Sequence, residues 1–231
     1  MSEKSPEAFE PHLAALAPKL SLGLPAEDRR RLAVYLAELF SWNDSTNLFG
    51  RLSKEDLARH ALESTLGASL FEAGERVLDI GSGGGFPGIP LAVAGREVVL
   101  LEPRERRAAF LRHVLRRIPG LKASVLVDRV EKLSATRFTA ASVRAVGGLG
   151  ALIGKGDFLE THGKLVIWTA DPAKNAGELD RAFVLERELA IPRTSRRKIV
   201  VFRKRSTGNM GGRSTGNIGR VSGGSLGENV G

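Results

Sequence analysis

The stretch that most restricts the fold runs from Arg76 to Gly88: Arg76-Val77-Leu78-Asp79-Ile80, then Gly81-Ser82-Gly83-Gly84-Gly85-Phe86-Pro87-Gly88. Val77, Leu78 and Ile80 form an apolar run of strand length, and the glycines behind them open backbone angles closed to other residues. A helix is expected next, from Ile89 to Ala94. The turn reads G-x-G-x-G at Gly81, Gly83 and Gly85, with the carboxylate of Asp79 two residues ahead. It is neither the G-x-G-x-x-G dinucleotide fingerprint in its usual place nor a phosphate loop, since no Gly-Lys-Ser/Thr follows. Bare backbone at the carboxyl end of a parallel strand suits a nucleoside-bearing ligand, with Asp79 orienting the turn or binding a polar group. An ordinary tight strand-to-helix turn uses glycine in the same way, so a second feature is needed.

Glu102 supplies it. Glu97-Val98-Val99-Leu100-Leu101-Glu102 is a strand ending in an acid, and roughly twenty residues after such a turn an acid accepts hydrogen bonds from ribose hydroxyls. The competing reading is a surface acid paired with Arg104, Arg106 or Arg107. Neither feature separates NAD from S-adenosylmethionine, but the glycine spacing and Asp79 favour the latter. Its amino-acid half needs hydrogen-bonding room beside the turn rather than a pyrophosphate seat. Downstream, strands and helices alternate as in a parallel sheet. A helix is expected over 104–118, a third strand over 123–127, a fourth near 140–146, a helix around 149–160 and a fifth strand over 164–168. Phe183 to Ala190 and Lys198 to Phe202 read as closing strands, and their short connection makes them an antiparallel hairpin at the sheet edge.

Ahead of this unit, residues 7–72 carry helical spacing. Leu13, Leu16 and Leu20 share one face, Pro25 suits the first turn of a second helix, and Leu32, Tyr35, Leu36, Leu39 and Phe40 form its apolar stripe. The polar run Trp42 to Leu48 is expected to end that helix, and Ser53 with Asp56 resembles a capping box that opens a third. Three segments follow: a helical cap over 1–74, an α/β unit over 75–205, and a Gly/Ser/Asn-rich tail over 206–231 that reads as disordered. The cap is either a lid on the sheet or a substrate-facing subdomain.

Composition excludes several chemistries. With no Cys there is no thiolate catalysis, disulfide or cysteine metal site, and His12, His60, His113 and His162 lack ligand-like spacing, so no metal is expected. No apolar run is long enough to span a membrane, and Met1 to Pro6 lead into no apolar signal segment, which fits a cytoplasmic protein. The formal charge of +9 points to a polyanionic partner.

The string Val77 to Pro90, VLDIGSGGGFPGIP, resembles the cofactor loop of the RsmG (GidB) family of ribosomal RNA small-subunit methyltransferases. Further landmarks recur in order: Trp42-Asn43 with Asn47-Leu48, Arg59-His60-Ala61-Leu62-Glu63-Ser64 with Glu for the family's Asp, Arg129-Val130-Glu131, Ser142-Val143-Arg144-Ala145, and Arg197 to Val201. The resemblance covers residues 25–205 and implies a class I, Rossmann-like methyltransferase fold using S-adenosyl-L-methionine. It implies cofactor contacts at Gly81, Phe86, Val130, Glu131 and Arg144, beside Asp79, Gly83, Gly85 and Glu102 from the turn and the strand-end acid. The implied reaction methylates N7 of one guanosine in the decoding region of 16S rRNA, as free RNA or within a small-subunit particle. Guanine N7 has no proton to lose, so no catalytic acid or base is assigned. Asn47, His60, Arg104, Arg107, Arg129 and Arg197 are the expected RNA contacts, with Arg106, Arg193, Arg196 and Lys198 as further phosphate contacts. Two departures stand out: Trp168-Thr169-Ala170 where the family often carries Lys-Gly, and the glycine-rich Gly147-Gly148-Leu149-Gly150. A methyltransferase with a non-RNA substrate and an RNA-binding protein with a vestigial cofactor pocket are the rival readings.

Overall fold

The computed structural model describes residues 3–133, 137–144, 149–153, 158–179, 182–194 and 196–206. Its centre is a seven-stranded sheet: β1 (Arg76–Ile80), β2 (Glu97–Leu101), β3 (Ala123–Leu126), β4 (Phe138–Arg144), β5 (Leu159–Thr169), β6 (Phe183–Ala190) and β7 (Lys198–Lys204). The spatial order is β3-β2-β1-β4-β5-β7-β6. The first five strands pair in parallel, and β7 runs antiparallel to both of its neighbours. The chain steps outward from β1 through β3 and then returns to β4. The carboxyl ends of β1 and β4 therefore flank the point where the winding reverses, which is where ligands collect in such sheets.

Helices cover both faces, as a parallel sheet requires. Period-two alternation sends Val77, Val98, Leu100, Ala140 and Val166 into one apolar core, and Leu78, Ile80, Val99, Leu101 and Val143 into the other. The first core is shared with α1 (Glu10–Leu16), α2 (Ala26–Thr46), α3 (Lys54–Leu66), α4 (Gly88–Val93) and α5 (Glu105–Arg117). The second is covered by α6 (Leu149–Ile153) and α7 (Pro172–Leu179). The N-terminal helices thus continue the core of one sheet face; their apolar stripes have no separate core to fill.

Local signals in the sequence have direct structural counterparts. The capping box that starts α3 is complete: Asp56 N–H donates to Ser53 Oγ (3.1 Å) and Ser53 N–H to Asp56 Oδ2 (3.0 Å). Several boundaries move for tertiary reasons. Leu20 lies in a separate 3-10 turn, Pro18–Leu20, after α1 has ended at Leu16. Pro25 caps α2 from one residue outside it. That helix continues to Thr46 and stops at Asn47, whose φ of 49° is left-handed, because Trp42 is held against Phe110 and His113 of α5. The helix expected around 149–160 ends by Ile153, and Leu159 already belongs to β5, drawn in by its pairing with Phe138 of β4. The closing hairpin has the expected pairing, but β7 inserts beside β5 and leaves β6 at the rim. The tail beyond residue 206 and the glycines at 147 and 148 lie outside the described residues. Among the described residues no helix is long and apolar enough to cross a membrane.

Candidate active site

The glycine turn is fastened at both ends by backbone. Gly81 and Ser82 donate to the carbonyl of Leu101 (2.9 and 3.1 Å), and Gly85 donates to Ser82 O (2.6 Å). Gly81, Gly83 and Gly85 have φ of 71°, 53° and 97°, a region that other residues enter at a cost. At Gly83 a Cβ would meet only ordinary contacts, so the demand there is conformational. At Gly85 space is also short, since a Cβ would lie 2.8 Å from Ile89 Cγ1 and 3.1 Å from the Tyr35 hydroxyl. That hydroxyl donates to Gly84 O (2.7 Å), tying α2 of the cap to the turn.

Two buried carboxylates complete the turn. Glu102 accepts from Gly83 N–H and Arg104 N–H, each at 2.9 Å. It is therefore no surface acid with a guanidinium partner but a brace between the turn and the start of α5. Asp79 is fully buried. Its Oδ1 accepts from Ser142 Oγ (2.8 Å), while Oδ2 lies against Gly88 without a well-formed hydrogen bond. Burial pushes its carboxyl up to about 6, against the pull of the Ser82 and Ser142 hydroxyls.

Beside the turn runs a groove of about 190 Å³ lined by Ile80, Gly81, Leu101, Pro103, Arg129, Val130 and Glu131 among others. Val130 and Glu131 reach it from the 3-10 turn Val130–Lys132, Val130 buried and Glu131 exposed. A mainly apolar slot with a bare glycine backbone at its mouth fits a flat heterocycle and its ribose.

A second pocket, about 310 Å³, opens at the ends of β4 and β5. Its floor is Glu63 of α3, fully buried. Arg144 Nη2 donates to Glu63 Oε2 (3.1 Å), and Arg197 lies 3.1 Å from Oε1 and donates to Oε2 (3.2 Å). Arg144 also donates to His60 O and Ser64 Oγ (3.2 Å each), and Trp168 Nε1 donates to Glu63 O (2.8 Å). Thr169 and Ala170 form part of the wall, whose cations among the described residues are Arg144 and Arg197. Burial, reinforced by Arg144 and Arg197, lowers His60 to about 4, so its imidazole is neutral near pH 7. Phe86, in the glycine turn, packs against the pocket: its half-buried ring meets Tyr35 (5.4 Å) and the pocket residues His60 (6.1 Å) and Arg144, through its guanidinium (5.9 Å).

The residues expected at the site therefore fall into distinct places. Asp79, Gly81, Gly83, Gly85, Glu102, Val130 and Glu131 gather at the turn and groove, and Arg129 joins them there rather than standing with the other expected RNA contacts. Arg144 lines the second pocket with His60 and Arg197. Asn47, Arg104 and Arg107 edge a third, basic cleft, where Arg107 Nη2 donates to Asn47 O (3.3 Å). Sequence reasoning passed over Tyr35 as a site residue and Glu63 as an ion-pair partner. An arginine in an apolar strand demands a buried acid, and the fully buried Glu63 of α3 answers it.

The sequence profile of the family described as rRNA small subunit methyltransferase G matches residues 28–199. The chain belongs to that family. A family relative from Rhodospirillum centenum named ribosomal RNA small subunit methyltransferase G is 43% identical over 136 residues, covering 58% of this chain and 62% of its own length. One from Pseudomonas aeruginosa is 38% identical over 122 residues, covering 52% and 57%, and one from Sorangium cellulosum 37% over 158, covering 64% of each. The chain thus spans less than two thirds of the length of these relatives. Solved structures share the fold at low identity. The ribosomal protein L11 methylase of Lactobacillus delbrueckii subsp. bulgaricus has TM-score 0.53 at 14% identity, over 68% of this chain and 81% of its own. The glycopeptide N-methyltransferase MtfA, solved with S-adenosyl-L-methionine, has TM-score 0.54 at 14% identity, over 63% and 94%. The fold of this chain is that of the class I methyltransferases.

Proposed function

We propose that this chain methylates N7 of a guanosine in the decoding-region loop of 16S rRNA, using S-adenosylmethionine, in the cytoplasm. One observation carries the reading: in a member of this family, a backbone-lined groove suited to a nucleoside opens beside the glycine turn, and Phe86 of that turn packs on His60 and Arg144 of a separate cation-walled pocket suited to a base. The groove fits the adenosine half, because Gly81 leaves the backbone bare and each Glu102 oxygen keeps a lone pair for a ribose hydroxyl beyond its backbone donor. Val130 and Glu131 border the adenine, Phe86 covers the cofactor on the pocket side, and Arg144 attracts a carboxylate. Asp79 acts through the turn, since it is buried beneath it. Bound there, S-adenosylmethionine supplies an electrophilic methyl group on a sulfonium.

The protein's own task is alignment. Guanine N7 offers a lone pair and carries no proton, so His60, unprotonated at neutral pH, serves as a contact and not as an acid. The base must leave its stack to enter the pocket, which favours loop or single-stranded RNA. His60 and Arg197 bound it there, with Asn47, Arg104 and Arg107 holding the flanking backbone. Two measurements test this. Titration calorimetry with S-adenosylmethionine gives a binding isotherm for the wild-type chain. Borohydride–aniline cleavage of 16S rRNA from cells lacking the protein loses one N7-methylguanosine stop. A silent titration removes the cofactor assignment, and an unchanged cleavage pattern removes the acceptor.

A further inference from the structure

The turn between β6 and β7 carries more charge than the fold uses. Arg193, Thr194, Arg196 and Arg197 line an open cleft of about 300 Å³, and Arg197 also lines the pocket at the ends of β4 and β5, so cleft and pocket share a wall. The backbone under the cleft is fixed. Arg193 has φ of 59°, Thr194 Oγ1 donates across the turn to Ile191 O (3.0 Å) and Arg197 O (3.2 Å), and Ile191 N–H donates to Arg197 O (3.2 Å).

The neighbouring cations have acidic partners: Arg197 shares Glu63 with Arg144, Lys198 pairs with Glu188 at 2.6 Å, and Arg203 with Glu186 at 2.6 Å. Arg193 and Arg196 are exposed, and neither has an ion pair or side-chain hydrogen bond among the described residues. Two exposed guanidiniums carried on one short turn, with no counter-charge among the described residues, suit an anion, and phosphate oxygens match the guanidinium fork. We infer that this turn is a phosphate clamp: Arg193 and Arg196 grip the phosphodiester next to the nucleotide whose base occupies the adjoining pocket. The inference rests on the acceptor proposed above and adds where its backbone is held. A membrane surface fits poorly, since the large apolar side chains exposed among the described residues, Val184 and Leu185, lie on β6 and not on the turn. An acidic peptide fits poorly as well, because the shared wall leads into a pocket lined by Val143, Ile167 and Trp168, with room for a ring. Lys198, expected from the sequence to touch phosphate, is engaged by Glu188 and lies outside the clamp.

The test compares Arg193→Gln/Arg196→Gln with Arg112→Gln/Arg116→Gln on α5, beside β3 at the far end of the sheet. Binding of a labelled 16S loop RNA is followed by fluorescence anisotropy from about 50 to about 300 mM KCl. Removing two contacts to single-stranded backbone lowers the slope of log affinity against log salt by about 1.4 and weakens binding roughly tenfold at the midpoint. The affinity for S-adenosylmethionine stays at the wild-type value, and Arg193→Lys/Arg196→Lys recovers most of the slope. An unchanged slope, or a loss equal to that of the α5 control, overturns the clamp. A matching loss for a polyglutamate peptide overturns it in favour of acidic proteins. Wild-type chain that binds the cofactor but no RNA overturns both the clamp and the acceptor; wild-type binding of both with an unaltered slope in the variant overturns the clamp alone.

Discussion

The glycine turn and the pocket at the ends of β4 and β5 are neighbours, Phe86 of the first touching His60 and Arg144 of the second, yet they are made of different materials. The turn is held mainly through backbone: three glycines in the left-handed region, Gly81 and Ser82 N–H groups donating to the Leu101 carbonyl of β2, and Glu102 bonded to two main-chain N–H groups. The pocket is side chain held by side chain, with Glu63 from α3 joined to Arg144 from β4 and Arg197 from the last hairpin. A backbone cradle discriminates little among nucleosides and is intolerant of added volume. A charge-built pocket tolerates volume and depends on every partner being present.

Glu63→Ala is the most forceful way to test that contrast. It leaves two arginines facing a fully buried gap and is expected to cost about 4 kcal/mol in chemical denaturation. A cost below about 1 kcal/mol would mean that the pocket is not held by charge. Asp79→Asn examines the opposite side through pH. The folded carboxyl titrates near 6 against an ordinary 3.8. The folded chain therefore holds the extra proton, and wild-type stability, complete below about pH 4, falls by about 3 kcal/mol as pH rises through 6. The asparagine variant lacks that step, so in urea titrations it gains on the wild type near neutral pH and not in acid; a step that persists in the variant assigns the titration elsewhere.

Smaller effects sharpen the picture. Gly88→Ala drives a methyl into Leu100 and Asp79 and is expected to cost about 2 kcal/mol, with cofactor affinity lost in calorimetry of the folded variant. Tyr35→Phe removes the bond to Gly84 O and is expected to cost about 1 kcal/mol, with a several-fold weaker cofactor isotherm. Full cofactor affinity in Tyr35→Phe would show that the turn needs no support from the cap.

The same contrast explains what could be read from the residues alone. The turn is contiguous, so Asp79, Gly81, Gly83 and Gly85 announce it within seven positions, and Glu102 follows at the end of the next strand. The cores of β1 and β2 are equally plain, because strands buried on both faces are continuous apolar runs. The pocket is joined by contacts across 81 and 134 positions of sequence, and nothing local distinguishes Glu63 from a solvated helix acid. The boundary after Ile153 failed for a related reason: Leu159 is extended because it pairs with Phe138, a tertiary demand that helical spacing does not register. The basic residues were visible as charge, but their division among groove, pocket and cleft depends on where the loops end.

The place of β7 has a consequence for synthesis. It follows β6 in the chain but lies between β6 and β5, so until Lys198–Lys204 emerge, β5 keeps an open edge and β6 has no neighbour to join. The strands beneath the glycine turn can pair much earlier, since β1, β2 and β3 emerge before any of this. Arg197 stands immediately before β7 and is fixed only when that strand docks. A nascent chain thus matures from the glycine turn towards the pocket at the ends of β4 and β5, and an unfinished copy holds an open strand edge, exposed to mispairing, in place of a finished pocket.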